Sequence, residues 1–118
     1  MMLDHLTIKV KDFDTEAAFY EAALAPLGYT KGAEFPGAVQ FASADGSSVW
    51  VSRTDGDVTP AHVAFVGDED AIKAFHTAGL AAGGTDNGEP GTRPNYGPTY
   101  YAAFVHDPEG NNIEACKH

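Results

Sequence analysis

The sequence predicts an α+β fold of two tandem βαβββ modules. Three observations carry that expectation: each half opens on a segment of period-two alternation, each continues into one amphipathic helix, and residues of the two halves repeat in order. The 118 residues are read as a single domain, 1–118, with module one at about 1–55 and module two at about 60–118, because a chain of this length buries one sizeable core.

Leu3 to Val10 alternates, with Leu6, Ile8 and Val10 on one face and His5, Thr7 and Lys9 on the other, as in a half-buried strand. Asp14 offers an N-cap, and Phe19, Tyr20, Ala23, Leu24 and Leu27 recur at helical spacing until Pro26 and Gly28 interrupt them. Three strand-like segments follow, Tyr29 to Glu34, Ala38 to Ala42 and Ser47 to Arg53, divided by Pro36-Gly37 and by the hairpin signal Asp45-Gly46. Beyond the loop Thr54 to Pro60 the order begins again. Ala61 to Val66 alternates, Asp68-Glu69-Asp70 supplies an acidic helix start, and Ile72, Phe75 and Leu80 lie in a helix closed by Gly83-Gly84.

The repeat can be aligned by eye. Phe19-Tyr20-Glu21-Ala22-Ala23-Leu24 lies over Phe75-His76-Thr77-Ala78-Gly79-Leu80, Leu3-Asp4-His5 over Pro60-Ala61-His62, and Gly46 to Trp50 over Gly110 to Glu114. The second half is longer between its helix and its last strand, and the excess falls in the Pro- and Gly-rich segment Asn87 to Pro98. Such a loop is either a ligand-binding element or a tolerated surface insertion.

Composition narrows the function. Seventeen acidic against seven basic residues give a formal charge of -10, which repels phosphate backbones and argues against a nucleic-acid partner. A single cysteine, Cys116, forms no intrachain disulfide, and no apolar run is long enough for export or membrane insertion, so a cytoplasmic protein without a membrane partner is expected. Cys116 shares the parity of Glu114, and a buried small hydrophobe is the reading preferred for it.

Two βαβββ modules, a histidine in the first strand of each, and the run Phe104-Val105-His106-Asp107-Pro108-Glu109-Gly110-Asn111-Asn112-Ile113-Glu114 resemble the vicinal oxygen chelate superfamily of glyoxalases, bleomycin-resistance proteins and extradiol dioxygenases. The resemblance spans essentially the whole chain and implies that the two modules form curled mixed sheets around a cleft. Its most specific piece is Asp107 to Glu114, a tight turn leading into a strand whose glutamate is usually a metal ligand in that superfamily. Carried over by position, the four ligand slots are His5, Trp50, His62 and Glu114, and Trp50 is no metal ligand.

The remaining two imidazoles and one carboxylate resemble the facial triad that suits Fe2+, with Mn2+, Zn2+ or Ni2+ also accepted by such ligands. The resemblance thus implies a divalent metal ion, Fe2+ favoured, binding a small substrate through vicinal oxygens in a dioxygenase-like or glyoxalase-like reaction. A glutamate missing from the Trp50 slot argues against strict glyoxalase I activity. Trp50 is either a cleft wall on which a planar ligand stacks or an aromatic filling space.

Arg93 and Tyr96 in the long loop are candidate substrate-binding residues alongside Trp50, and Tyr100, Tyr101 and His106 are candidate catalytic groups. Parity lets only one of the two adjacent tyrosines face the cleft. His76 and His118 receive no site role. The alternative implied by the resemblance is a metal-free protein like the bleomycin-resistance members, which sequester a cationic ligand; a dimeric scaffold without a ligand is a third reading. The superfamily often pairs as homodimers, some of which share a site between subunits, and a homodimer is expected here, with His5 meeting His62 and Glu114 either within one chain or across two.

Overall fold

The computed structural model describes residues 3–118; the first two residues of the expected domain lie outside the described residues. Two four-stranded sheets of identical topology account for both halves. The first contains β1 (His5–Val10), β2 (Tyr29–Phe35), β3 (Ala38–Ser43) and β4 (Ser48–Arg53) in the order β1-β4-β3-β2, with helix α1 (Phe13–Leu24) between β1 and β2. The second contains β5 (His62–Val66), β6 (Thr85–Thr92), β7 (Tyr101–His106) and β8 (Asn112–Lys117) in the order β5-β8-β7-β6, with helix α2 (Glu69–Ala81) between β5 and β6. The first and last strands of each half pair in parallel and the others antiparallel. The two-module α+β expectation is therefore met, and the sheets do not close into a barrel.

Each sheet buries one face against the helices because its apolar residues alternate. Ile8, Val10, Val39, Phe41, Val49 and Val51 from the first sheet join Phe65, Ala103, Val105, Ile113 and Ala115 from the second in one core, filled from above by Phe19, Tyr20, Leu24, Ile72 and Phe75. The opposite face of the first sheet carries His5, Thr7 and Lys9 and is open. On the second sheet that outer face is largely covered, since Ala102, Phe104, Glu114 and Cys116 are all buried. Cover comes from the segment after β6, whose Tyr100 packs on Ala102, Phe104 and Cys116.

Local chemistry explains most element ends. Asp12, not Asp14, caps α1, its carboxylate accepting from the Thr15 backbone N–H and hydroxyl. Glu109, from the second half, holds this entry in place by accepting from the backbone N–H groups of Lys11 and Asp12. The α1 chain leaves through a 3-10 turn with Pro26 inside it and Gly28 at φ 93 beyond. Asp68 caps α2. At Gly84 a Cβ would stand 2.6 Å from Val105 Cγ1 and 2.7 Å from Phe19 Cε1, so the chain passes between core side chains only without one. Leu80, near the C-terminal end of α2, is 37% exposed.

Asn87 to Pro98 is not wholly a loop. Its first part belongs to β6, which pairs with β7 through two register shifts and continues to Thr92. Glycine and proline had hidden a strand with few side chains to alternate. The irregular connection is confined to residues 93–100.

The sheets meet along β1 and β5, which share no strand pairing. A cavity of about 490 Å³ at one end of this seam is lined by Leu3 and Leu6 together with Phe65 and Val66. A second, at the other end, is lined by Ile8 and Lys9 with Ala61 and Asn111. The start of β1 thus lies beside the end of β5, and the two strands run in opposite directions. No helix among the described residues is long and apolar enough to cross a membrane.

Candidate functional site

Parallel pairing of β5 with β8 sets Ala64 opposite Glu114, which leaves His62 diagonal to that glutamate on the same face. The diagonal is closed: His62 Nε2 and Glu114 Oε1 are 2.8 Å apart. The second carboxyl oxygen, Oε2, accepts from the Tyr100 hydroxyl at 2.5 Å. Glu114 is 4% exposed, whereas the His62 side chain is about half exposed, so the carboxylate forms a floor and the imidazole its accessible edge. The hydrogen bond to Glu114 holds the Tyr100 phenol well above the ordinary tyrosine range, so it remains a donor. Burial raises the Cys116 thiol too, which keeps it a neutral neighbour of the cluster.

Aromatic side chains frame these three groups. The Phe104 ring meets His62 edge-on at 6.3 Å, and the Arg93 guanidinium lies over the same ring at 5.5 Å. Tyr96 packs edge-on against Tyr100, and His118 stacks on Tyr100 at an interplanar angle of 4°. Of the sequence candidates, His62, Glu114, Tyr100, Arg93 and Tyr96 are therefore gathered on one outer face. Tyr101 turns the other way and packs against the core, as parity requires. His106 ends β7 beside Asn112 with no side-chain hydrogen bond among the described residues.

The first half repeats this geometry with different chemistry. Thr7 pairs with Trp50, which places His5 diagonal to Trp50 as His62 is to Glu114. Trp50 instead stacks on Phe35, with ring centres 6.2 Å apart and planes 17° from parallel. His5 hydrogen-bonds Asp4 at 2.7 Å. Since β1 and β5 run oppositely along the seam, His5 and His62 stand at opposite ends of it. Among the described residues no three His, Cys, Asp or Glu side chains come together as a metal site. Among the described residues His62 and Glu114 are the two sequence-suggested donors that converge.

Two contributors were missed in the sequence. Phe104 shares the parity of Glu114 across the β7-β8 register and was legible from it. His118 was not, because a terminal residue beyond the last strand has no periodic signal.

Fold and site define a member of the vicinal oxygen chelate superfamily. The chain belongs to the Glyoxalase-like domain family, whose model matches residues 5–116. It is similar over its full length to a glyoxalase/bleomycin resistance protein from Albidiferax ferrireducens T118, at 28% identity and a TM-score of 0.86, covering 99% of that chain. The fold is also shared with a glyoxalase/bleomycin resistance protein/dioxygenase family enzyme from Burkholderia phytofirmans PsJN, at 18% identity and a TM-score of 0.71, over 96% of this chain and 95% of that one. A structure described as Oxidase ChaP-H2 shares it at 21% identity and a TM-score of 0.71, over 100% and 94%. No curated protein matches the sequence.

Proposed function

We propose that this chain is a homodimeric metal-dependent enzyme acting on a small substrate through neighbouring oxygens, with His62 and Glu114 of one copy and His5 of a second copy as the metal ligands. One observation supports the reading above others: His62 and Glu114 converge at 2.8 Å with the imidazole half exposed, while the repeat-equivalent His5 lies at the far end of the seam, diagonal to Trp50 in the register. A second copy laid across the outer faces is the arrangement that supplies the third ligand.

The divalent ion, when bound, supplies a Lewis acid for two adjacent substrate oxygens. The chain's own groups do the remainder. Tyr100 donates to Glu114 and holds its carboxylate orientation, as ligand-supporting hydrogen bonds do. Phe104 and Tyr96 provide apolar walls, Arg93 a cation, and Trp50 of the second copy a stacking surface. His106 and Tyr101 are assigned no proton-transfer role in this reading, which gives that position to Tyr100.

Anaerobic titration of metal-stripped protein with Fe2+, Mn2+, Zn2+ and Ni2+ tests the ligand set. Binding is expected in wild type and absent from His5→Ala, His62→Ala and Glu114→Ala. Mixing His5→Ala with Glu114→Ala is expected to restore binding, because one hybrid site keeps all three ligands. Retained binding in His5→Ala, or a monomeric mass by light scattering, sinks the shared site.

A metal-free binding protein is the second reading, favoured by the Trp50-Phe35 stack and by the 61% exposure of Phe35. It predicts saturable binding of an aromatic cation that persists in chelator and is lost in Trp50→Ala.

A further inference from the structure

Arg93 is held in an unusual way for so acidic a chain. Its guanidinium donates to three backbone carbonyls, those of Glu89, Gly91 and Thr92, and no carboxylate among the described residues lies in ion-pair contact with it. With seventeen acidic residues available, a surface arginine is readily neutralised; this one keeps its charge. Carbonyl dipoles fix its position without cancelling that charge.

Its place is built into β6. A Cβ at Gly88 would stand 2.9 Å from Phe104 Cδ1 and 3.1 Å from Arg93 Nη2, and one at Gly91 would stand 3.4 Å from Nη1. The missing side chain at Gly88 leaves room for the guanidinium to fold back over the Phe104 ring, where a cation is favoured by the ring face. The same ring meets His62. Glu114 does not compete for the charge, since its two oxygens are already engaged by His62 and Tyr100.

We infer that Arg93 is the receptor for an anionic group, a carboxylate, on the small molecule bound at the His62-Glu114 face, so that the substrate class is a small organic acid. The inference rests on the proposed site and adds the charge of its ligand. The planar fork retains free N–H donors after its three carbonyl bonds, and a carboxylate matches that fork.

The test is calorimetric titration with lactate, pyruvate and salicylate, each beside its neutral methyl ester, on wild type, Arg93→Gln, Arg93→Lys and Glu114→Gln. At least one acid is expected to bind about tenfold or more tightly than its ester, a ratio that falls toward one in Arg93→Gln and is partly kept in Arg93→Lys. Circular dichroism and thermal melting establish that each variant is folded. Equal affinity of acid and ester in wild type, or an unchanged ratio in Arg93→Gln, overturns the anion receptor. If esters and acids then both lose affinity in Glu114→Gln, the site itself stands. If acid preference follows Arg93 but ignores Glu114, the inference holds for Arg93 and the proposed site fails. No binding by any of the six compounds overturns the organic-acid class.

Discussion

The carboxyl of Glu16, in the first turn of α1, is sealed against the carboxylate of Asp107 in the turn between β7 and β8. Glu16 is fully buried, and neither of its oxygens receives a hydrogen bond from another group of the described chain. Asp107 is richly supplied, accepting from the Tyr20 hydroxyl, the Asn111 amide and the backbone N–H groups of Glu109 and Asn111. The proton therefore belongs on Glu16, which donates it to Asp107. Burial, together with that bond and the nearby charges of Asp107, Glu109 and Asp12, pushes the Glu16 carboxyl up to about 9. Burial also acts to raise Asp107, but the bonds from Glu16, Tyr20 and Asn111 outweigh it and leave that carboxyl below its ordinary value.

The pair makes stability depend on pH in a defined sense. Between the ordinary glutamate value of 4.5 and about 9, the unfolded chain loses the Glu16 proton and the folded chain keeps it, so the folded state loses stability as pH rises. Asp107 acts oppositely, its contribution being lost as pH falls through its depressed range. Glu16→Gln keeps a neutral donor toward Asp107 and removes the ionisation. It is expected to stabilise the protein at pH 8 by at least about 1 kcal/mol, roughly 3–6 °C in Tm for a chain of this size, with the gain shrinking toward pH 4.5. Thermal melts of both proteins across that range decide it, and an equal effect at both ends would contradict the shared proton.

Tyr20 carries a buried hydrogen bond between the halves. Its hydroxyl reaches Asp107 at 2.5 Å inside the core, and Tyr20→Phe removes the donor while retaining the ring. Loss of this charge-assisted bond is expected to cost about 1.5–3 kcal/mol in urea unfolding at pH 7. A cost near zero would mean that solvent or Asn111 replaces it.

Gly84 tests packing in the absence of charge. The alanine methyl at this position meets Val105 and Phe19 well inside contact distance. Gly84→Ala is expected to destabilise by about 1–3 kcal/mol through displaced core side chains, despite the entropy that alanine removes from the unfolded chain. Chemical denaturation measures the difference directly.

Tyr100→Phe separates site from scaffold. The ring keeps its contacts with Tyr96 and His118 while the hydroxyl and its bond to Glu114 are lost. Affinity for metal in the proposed dimeric site is expected to fall about 10- to 100-fold, as when other ligand-supporting bonds are removed. The melting temperature is expected to change by only a few degrees, because Tyr100 is part-buried at the edge of the sheet. Parallel metal titration and melting distinguish the two effects.

Alternation along β5 and β8 put His62 and Glu114 on one face, and the order of residues around Phe19 and Phe75 revealed the repeated module. Both are local properties, since side-chain direction on a strand follows parity. The same parity allowed only one of Tyr100 and Tyr101 to face outward, and the structure makes it Tyr100. It did not reveal β6, where Gly88, Pro90 and Gly91 offer no alternation, nor the helix cap at Asp12, which depends on Glu109 from the other half holding the entry to α1.

The sequence by itself determined the two modules and the strand faces, because each is encoded within a few residues. Tertiary structure alone decided that β1 and β5 run in opposite directions along the seam, setting His5 at one end and His62 at the other. It also decided that Glu16 is buried against Asp107 and that Arg93 folds over Phe104. Those relationships join segments distant in sequence, and they are selected by how two amphipathic sheets share one core beneath two helices, a packing choice that no local period records.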